Sequence, residues 1–475
     1  TSKFKKVDCS INLESESIIR YDGEDNLLLN SNSYVELSSI AAHSDGIFEL
    51  EMKNRKDKKP AYLPLNMRIM DDFSNATEMN IKISSLENKR ITYRSSVSFR
   101  SLKYSPDSIS DEKTILSKNG VRLSGLRKSI LFNVNYELGK GKQASKEKSY
   151  IKVPAGMGSY NWIDNNNNGI QELSEFVISV FQDEAEYVPL FLPSKKLEDI
   201  YMLNYHQSIQ IDFRKILKTK FLRRIYLSSE LQVNNKNKLK AKIYNPFFNE
   251  NIDSSMNYTL RNINSLIYNK LNENFSFQIL NKKIINQSSF SYGSDRQENN
   301  ENEFTCSFVY FKGIKNDISI RIGDNNHISS FFSNRNFSYK YQEINKRVVL
   351  FKTSKQEWIM EYDYKLKSPQ SGSYAGKNHN MEYNEGSISY KYSDNEKNFL
   401  ELNKRLINIS FNETDNNILN YNLMEGLNSG FNIIIGINYK RKLENQMEIS
   451  FSYSTRKSQQ SKLKHIGNIG IQAFF

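Results

Sequence analysis

The residues of this chain best spaced for chemistry lie between Asp164 and Glu175. Asp164, Asn166 and Asn168 stand two apart, Gly169 follows, and Glu172 and Glu175 come after it. The segment satisfies the pattern D-x-[DN]-x-[DN]-G-x5-E throughout. Asp164, Asn166 and Asn168 supply side-chain oxygens at loop positions 1, 3 and 5, and Gly169 allows the sharp turn. The Ile170 carbonyl takes position 7, Glu172 takes position 9 directly or through water, and Glu175 takes the bidentate position 12. Ca2+ wants hard oxygens in this number, so the loop is expected to hold a structural calcium ion. Asn at positions 3 and 5 leaves three carboxylates, which sets a modest affinity. The competing reading is an Asn-rich turn held by its own side chain–backbone hydrogen bonds. Pro154, Gly156 and Gly158 precede the loop and argue against an entering helix. An exiting helix is expected, with Leu173, Phe176, Val177, Val180 and Phe181 on one face.

No second constellation suggests catalysis. The histidines are His43, His206, His327, His379 and His465, and no H-E-x-x-H, G-x-S-x-G or C-x-x-C occurs. Gly139-Lys140-Gly141-Lys142 lacks P-loop spacing and reads as a polar turn. An enzyme is not expected. Cys306 shares a parity with Phe304, Phe308 and Tyr310 and reads as a small hydrophobe, far in sequence from Cys9.

The elements that must carry the loop read as strands. Trp358, Met360, Tyr362, Tyr364 and Leu366 alternate with Ile359, Glu361, Asp363 and Lys365. Phe431 to Tyr439 and Met447 to Tyr453 follow the same grammar, as do Phe337/Tyr339/Tyr341, Ile388/Tyr390/Tyr392 and Ile407/Ile409/Phe411. Several runs reach the roughly 9–11 residues of a tilted membrane strand, and none approaches the ~18 apolar residues of a membrane helix. Mean hydropathy is −0.64, which strands with one apolar parity accommodate. The polar parity suits a wet lumen. Lys442 to Gln446 reads as a short turn and Arg456 to Lys464 as a long basic loop, the asymmetry of bacterial barrels.

The net charge of +13 is spread over many turns. No nucleic-acid module accompanies it, so no nucleic-acid partner is expected, and anionic headgroups explain the basic loops as well. Residues 1–150 form a β-rich domain or early barrel strands, with charged loops at Lys53–Lys59 and Ser105–Lys118. Residues 151–200 carry the EF-hand-like loop and helix, and residues 201–475 the barrel strands. The chain begins at Thr1 without a signal peptide and reads as a processed chain or a fragment.

The last residues, His465 to Phe475, alternate as Gly467, Ile469, Ile471, Ala473 and Phe475 against Asn468, Gly470, Gln472 and Phe474. A terminal Phe closing such a strand resembles the C-terminal signal of outer-membrane β-barrels. Asn135 to Gly139, Gly156 to Phe176, and Tyr453 to Ser458 with His465 to Gly467 and Ala473 to Phe475 together resemble a family of large, poorly characterised outer-membrane proteins of Bacteroidota. The resemblance covers roughly residues 130–215 and 430–475. Family members are longer at the N-terminus, so the chain looks like a C-terminal portion. It implies an outer-membrane address and no catalytic residues.

The expected fold is therefore all-β: an antiparallel transmembrane β-barrel with an N-terminal β-rich domain and a short EF-hand-like loop plus helix insertion. Expected partners are outer-membrane lipid and lipopolysaccharide, the barrel-assembly machinery through the strand ending at Phe475, and periplasmic or surface proteins. The expected role is transport, secretion or envelope organisation. A soluble cell-surface β-sandwich, an adhesin or glycan binder, is the alternative.

Overall fold

The computed structural model describes the residues outside 1–6, 23–26, 44–45, 63–67, 85–89, 106–110, 182–183, 239–244, 248–254, 271–273, 291–292, 312–313, 354, 371–379, 395–396, 412–417, 444–446, 460 and 474–475. Phe474 and Phe475, and with them the terminal signal, lie outside the described residues. Among the described residues the chain is all-β, with antiparallel pairing between neighbouring strands. In chain order the strands are β1 (Val7–Ile18), β2 (Asn32–His43), β3 (Phe48–Tyr62), β4 (Arg68–Ser84), β5 (Ile91–Tyr104), β6 (Glu112–Gly125) and β7 (Ile130–Lys152). Then come β8 (Tyr160–Trp162), β9 (Phe176–Ile178), β10 (Tyr187–Asp212), β11 (Ile225–Asn237), β12 (Ser255–Tyr268), β13 (Phe275–Phe290) and β14 (Gly293–Phe311). The last are β15 (Ile314–Ser329), β16 (Phe337–Lys352), β17 (Gln356–Pro369), β18 (Met381–Asp394), β19 (Asn398–Ser410), β20 (Gly430–Lys442), β21 (Met447–Ser458) and β22 (Lys464–Ala473). One short helix, α1 (Ile418–Leu423), sits between β19 and β20.

The chain divides into two compact units. The first comprises residues 1–145, 194–211 and 229–260. Its strands β2 to β6 are two-faced. Met52, Met79, Phe99 and Ile115 lie side by side across β3, β4, β5 and β6, and Met52, Phe99 and Ile115 are exposed. The other face is charged. Lys53 meets Glu51 at 3.0 Å, Arg55 meets Asp57 at 2.9 Å, and Lys82 meets Glu49 at 2.7 Å. The stretch Lys53–Lys59 and the Glu112–Lys118 part of Ser105–Lys118, expected as loops, lie in strands. Lys53, Arg55 and Asp57 fall on the face where opposite charges sit within reach, while Lys56 and Lys113 share the exposed parity of Met52 and Ile115, so alternation places the charges without breaking the strands.

The second unit comprises residues 146–193, 212–228 and 261–475. Ile279, Phe304, Ile320, Ile344 and Tyr364 form one row across β13 to β17. Trp358, Tyr390, Leu402, Ile437 and Tyr453 form another across β17 to β21. These rows lie on one face, and most of their side chains are exposed. The opposite face alternates acid and base: Glu303, Arg321, Glu343 and Lys365 are successive neighbours on β14 to β17. Gly323 makes room on this face. A Cβ there would lie 2.7 Å from the Tyr341 ring, and Tyr341 crosses it to donate to Glu301 at 2.8 Å.

The connections of this unit are lopsided. At one end of the antiparallel strands they span 312–313, 353–355, 395–397 and 443–446; at the other, 291–292, 330–336, 370–380, 411–429 and 459–463. The long loop expected at Arg456–Lys464 is shorter, because β21 continues to Ser458. Arg456 stays in the strand, paired with Glu184 and stacked 3.8 Å over the Phe181 ring.

Candidate functional site

At the long-connection end of the second unit, the charged face turns apolar. Tyr383 and Ile407 are 0% exposed and Ile409 is 1% exposed, although each shares its parity with charged residues further along. The cause is a segment laid on the sheet. α1 and the turn after it bring Ile418, Leu419, Leu423 and Leu427 into one buried cluster with Phe337, Tyr339, Tyr383, Ile407, Ile409 and Phe411. Phe337/Tyr339/Tyr341 and Ile407/Ile409/Phe411, expected on the apolar parity beside Trp358 and Met360, thus belong to the opposite face, and all but the partly buried Tyr341 are buried in the cluster with this segment. A strand pattern fixes alternation but not which solvent each parity meets.

Where the cluster ends, a charge network begins. Glu425 follows α1 and accepts from Lys365 at 2.9 and 3.2 Å and from Lys367 at 2.9 Å. Lys367 also donates to the Leu423 carbonyl at 2.9 Å. Burial pushes the Glu425 carboxyl up, but the ammonium groups of Lys367 and Lys365 outweigh it and hold the pKa at about 2. Glu425 has φ of 55°, a left-handed conformation that costs a non-glycine residue about 1–2 kcal/mol. The two ion pairs offset that strain. Beside them, Arg405 grips Glu385 through two nitrogens at 2.6 and 2.8 Å, and Tyr383 donates to Glu385 at 2.7 Å. A cavity of about 840 Å3 opens next to this network, walled by Arg405, Asn403, Asn438, Ser452 and Ser454.

Residues 153–186 fasten the same end. β8 pairs with β9, and Tyr160 also pairs with Tyr187 of β10. Val180 donates its N–H to the Tyr421 hydroxyl at 3.0 Å, and Lys464 reaches Glu184 at 2.8 Å. The exiting helix expected after the Asp164–Glu175 loop is absent: Leu173–Glu175 is a single 3-10 turn, and Phe176 opens a strand. Glu172 and Glu175 cap that turn reciprocally, and Phe176 stacks on Tyr150 at 4.1 Å and meets Tyr187 edge-on at 4.9 Å. Aromatic packing and strand pairing together outweigh the helical period.

The loop itself gathers most of the predicted ligands. Asp164 accepts from the N–H groups of Asn168 and Gly169 at 3.2 and 2.9 Å. The Asn166 and Asn168 side-chain carbonyls accept from Asn168 and Ile170 N–H at 3.1 and 2.7 Å. Glu172 lies within 3.5 Å of both asparagine amides. Gly169 has φ of 70°, the turn a glycine is needed for. Glu175 departs from the pattern. It is wholly buried and accepts from the Trp162 indole at 2.8 Å, Asn165 N–H at 3.1 Å and Glu172 N–H at 3.3 Å. Among the described residues no three acidic, histidine or cysteine side chains are grouped for a metal. Asp164, Asn166, Asn168 and Glu172 are joined by hydrogen bonds within the loop, while the Glu175 carboxylate is taken by Trp162, Asn165 and Glu172.

Sequence reasoning missed Glu425, Lys365, Lys367, Glu385 and Arg405. The available signal was an apolar run, Ile418 to Leu427, interrupted by Glu425 and placed between two strands. Cys9 and Cys306 are both free thiols.

The molecule is thus an antiparallel β protein whose second unit has an apolar exposed face and a charged face covered at one end. No protein-family model matches the chain, and no curated protein does. Among solved structures it is similar to the copper transporter OprC, with 7% identity, a TM-score of 0.38, and coverage of 95% of this chain and 71% of that one. It is also similar to BauA, the ferric preacinetobactin receptor from Acinetobacter baumannii, with 8% identity, a TM-score of 0.37, and coverage of 98% and 78%. The closed form of the ferric-catecholate import receptor Fiu from E. coli K12 gives 9% identity, a TM-score of 0.36, and coverage of 94% and 73%.

Proposed function

We propose that the chain is a non-enzymatic outer-membrane β-barrel protein that transports a polar solute and is closed at one end by the segment around α1. The observation that carries this is the two-faced sheet. Rows of exposed Ile, Phe, Tyr and Trp cross neighbouring strands, while the reverse face carries alternating charges. Water makes such an apolar face costly at roughly 25 cal/mol per Å2, and hydrocarbon removes that cost. Hydrocarbon tolerates strands only when their edges are paired, which favours a barrel. No described helix is long and apolar enough to cross a membrane. Short connections at one end and long ones at the other suit a periplasmic and an extracellular side respectively.

The test is gel mobility of detergent-extracted protein before and after boiling. A band that shifts only on boiling supports the barrel. A chain soluble without detergent and showing no shift instead favours the cell-surface sandwich. In planar bilayers, removal of residues 414–427 should raise conductance over the intact chain.

The Asp164–Glu175 loop is a separable part of the proposal, a structural Ca2+ site beside the closing segment. Ca2+ would pin the loop, with Asp164, Asn166, Asn168, Glu172 and the Ile170 carbonyl as ligands and Glu175 recruited from Trp162. Asp164→Asn should remove any calcium-dependent rise in melting temperature. An unchanged response in that variant would eliminate the site.

A further inference from the structure

The connection between β10 and β11 has a composition found nowhere else in the chain. Arg214, Lys215, Lys218, Lys220, Arg223 and Arg224 fall within eleven residues that contain no acid, and all six are exposed. Asp212, just before them, takes Arg214 with Oδ1 at 2.9 Å. Among the described residues no carboxylate lies within ion-pair distance of Lys218, Lys220, Arg223 or Arg224. Two 3-10 turns, Phe213–Lys215 and Leu222–Arg224, hold the segment compact, and Arg223 Nε donates to the Arg214 carbonyl at 3.2 Å. A cleft of about 680 Å3 opens between it and the β12–β13 connection, where Lys270 adds a further ammonium 3.6 Å over the Tyr226 ring.

Charge alone would suit many anions. The apolar residues among the cations narrow the choice. Phe221 is 58% exposed and Leu222 is 39% exposed. Phe221 meets Tyr268 at 5.1 Å, Tyr268 stacks on Phe277 at 5.0 Å, and Phe277 leans on Phe304 at 6.3 Å. Phe277 and Phe304 belong to the exposed apolar face. The basic segment is therefore continuous with that face through a chain of rings. Cations above an apolar belt are what a membrane offers a match for: phosphate at the surface and acyl chain beneath. The segment lies at the short-connection end, since Arg224 accepts from Asn269 N–H at 2.9 Å and Asn274 accepts from Val309 N–H at 2.9 Å.

We propose that the Arg214–Arg224 segment, with Lys270, binds the phosphate of an anionic glycerophospholipid at the short-connection end, and that Phe221 and Leu222 sit against its acyl chains. The inference rests on the membrane reading and gives that reading a specific lipid contact. Lys220, Arg223 and Arg224 bear the phosphate, while Asp212 holds Arg214 at the start of the segment.

The full chain in a non-ionic detergent is mixed with phosphatidylglycerol or phosphatidylcholine, and retained lipid is counted by native mass spectrometry. The expected result is preferential retention of phosphatidylglycerol, lowered roughly 10-fold or more by K220Q/R223Q/R224Q and left unchanged by Lys53→Gln on the charged face of the first unit. Equal retention of both lipids, or a preference that survives the triple substitution, overturns the inference. Full displacement of phosphatidylglycerol by millimolar inorganic phosphate or by a single-stranded oligonucleotide overturns it too, by assigning the segment to a soluble anion or to nucleic acid. The same samples are run with and without boiling. Loss of lipid preference with retained heat-dependent mobility bears on this segment alone, and absence of that mobility in the unaltered chain refutes the membrane reading itself.

Discussion

Glu425→Gln should loosen the closing segment without unfolding the sheet. The substitution leaves Lys367, 7% exposed, and Lys365, 17% exposed, without their carboxylate. Two routes give the size of the effect. The Glu425 pKa falls from 4.5 to about 2, which at about 1.4 kcal/mol per unit is about 3 kcal/mol. Breaking a buried pair by removing one partner costs about 3–5 kcal/mol. A loss of about 3 kcal/mol raises the fraction of open segments by about 100-fold. The assay places a cysteine at Leu423, which is 0% exposed, with Cys9 and Cys306 replaced by Ser, and follows maleimide labelling at neutral pH. Labelling should be about 100-fold faster in the Gln variant, and K365M/K367M/E425L should bring it back, since an apolar trio leaves no charge buried. The pH dependence follows the same carboxyl. Its folded pKa is depressed, so its contribution is complete above about 4.5 and disappears as pH falls toward 2. An unchanged labelling rate in Glu425→Gln, or an apolar trio that labels as fast as it, would refute the reasoning.

Three further outcomes are expected. Arg405→Met should strand Glu385, 6% exposed, and cost about 3–5 kcal/mol, read as a lower temperature for the heat-dependent mobility shift. Gly323→Ala should destabilise by about 1–3 kcal/mol, because its Cβ would clash with the Asn300 carbonyl, whereas Gly386→Ala, with nothing within 4 Å, should be neutral; denaturant unfolding in detergent distinguishes them. Ile344→Arg, on the exposed apolar row, should cost about 2–4 kcal/mol in lipid vesicles and little in a soluble protein, measured by urea unfolding from vesicles.

Most strands were legible because alternation is a local property. Trp358 to Leu366 and Met447 to Tyr453 sit on the parity their sequence assigns them. Boundaries were less legible: Lys53 to Lys59 looks like a loop until Glu51 and Asp57 appear beside Lys53 and Arg55. The closing segment was illegible for a different reason. Ile407 and Ile409 alternate as lipid-facing residues do, and only the distant Leu423 and Leu427 reveal that they bury protein. The helix after Glu175 failed likewise, since Tyr150 and Tyr187 outbid a helical pattern read from Leu173 to Phe181. The calcium pattern located a real turn, yet nothing in its spacing warns that Trp162 occupies Glu175.

The closing segment is covalently held at both ends, by β19 ending at Ser410 and β20 starting at Gly430. Were it to unpack from the sheet, the segment would be released but never lost. Even unpacked, a flexible tether of that length has an r.m.s. span of only ~24 Å. Its effective concentration at the site therefore remains in the millimolar range whatever the protein concentration. In the proposed transporter, opening and closing would then be unimolecular, and a solute displacing the segment would compete with a tethered rival. Weak solutes would be excluded at equilibrium by competition, with no steric bar required, and dilution of the protein would leave that threshold unchanged.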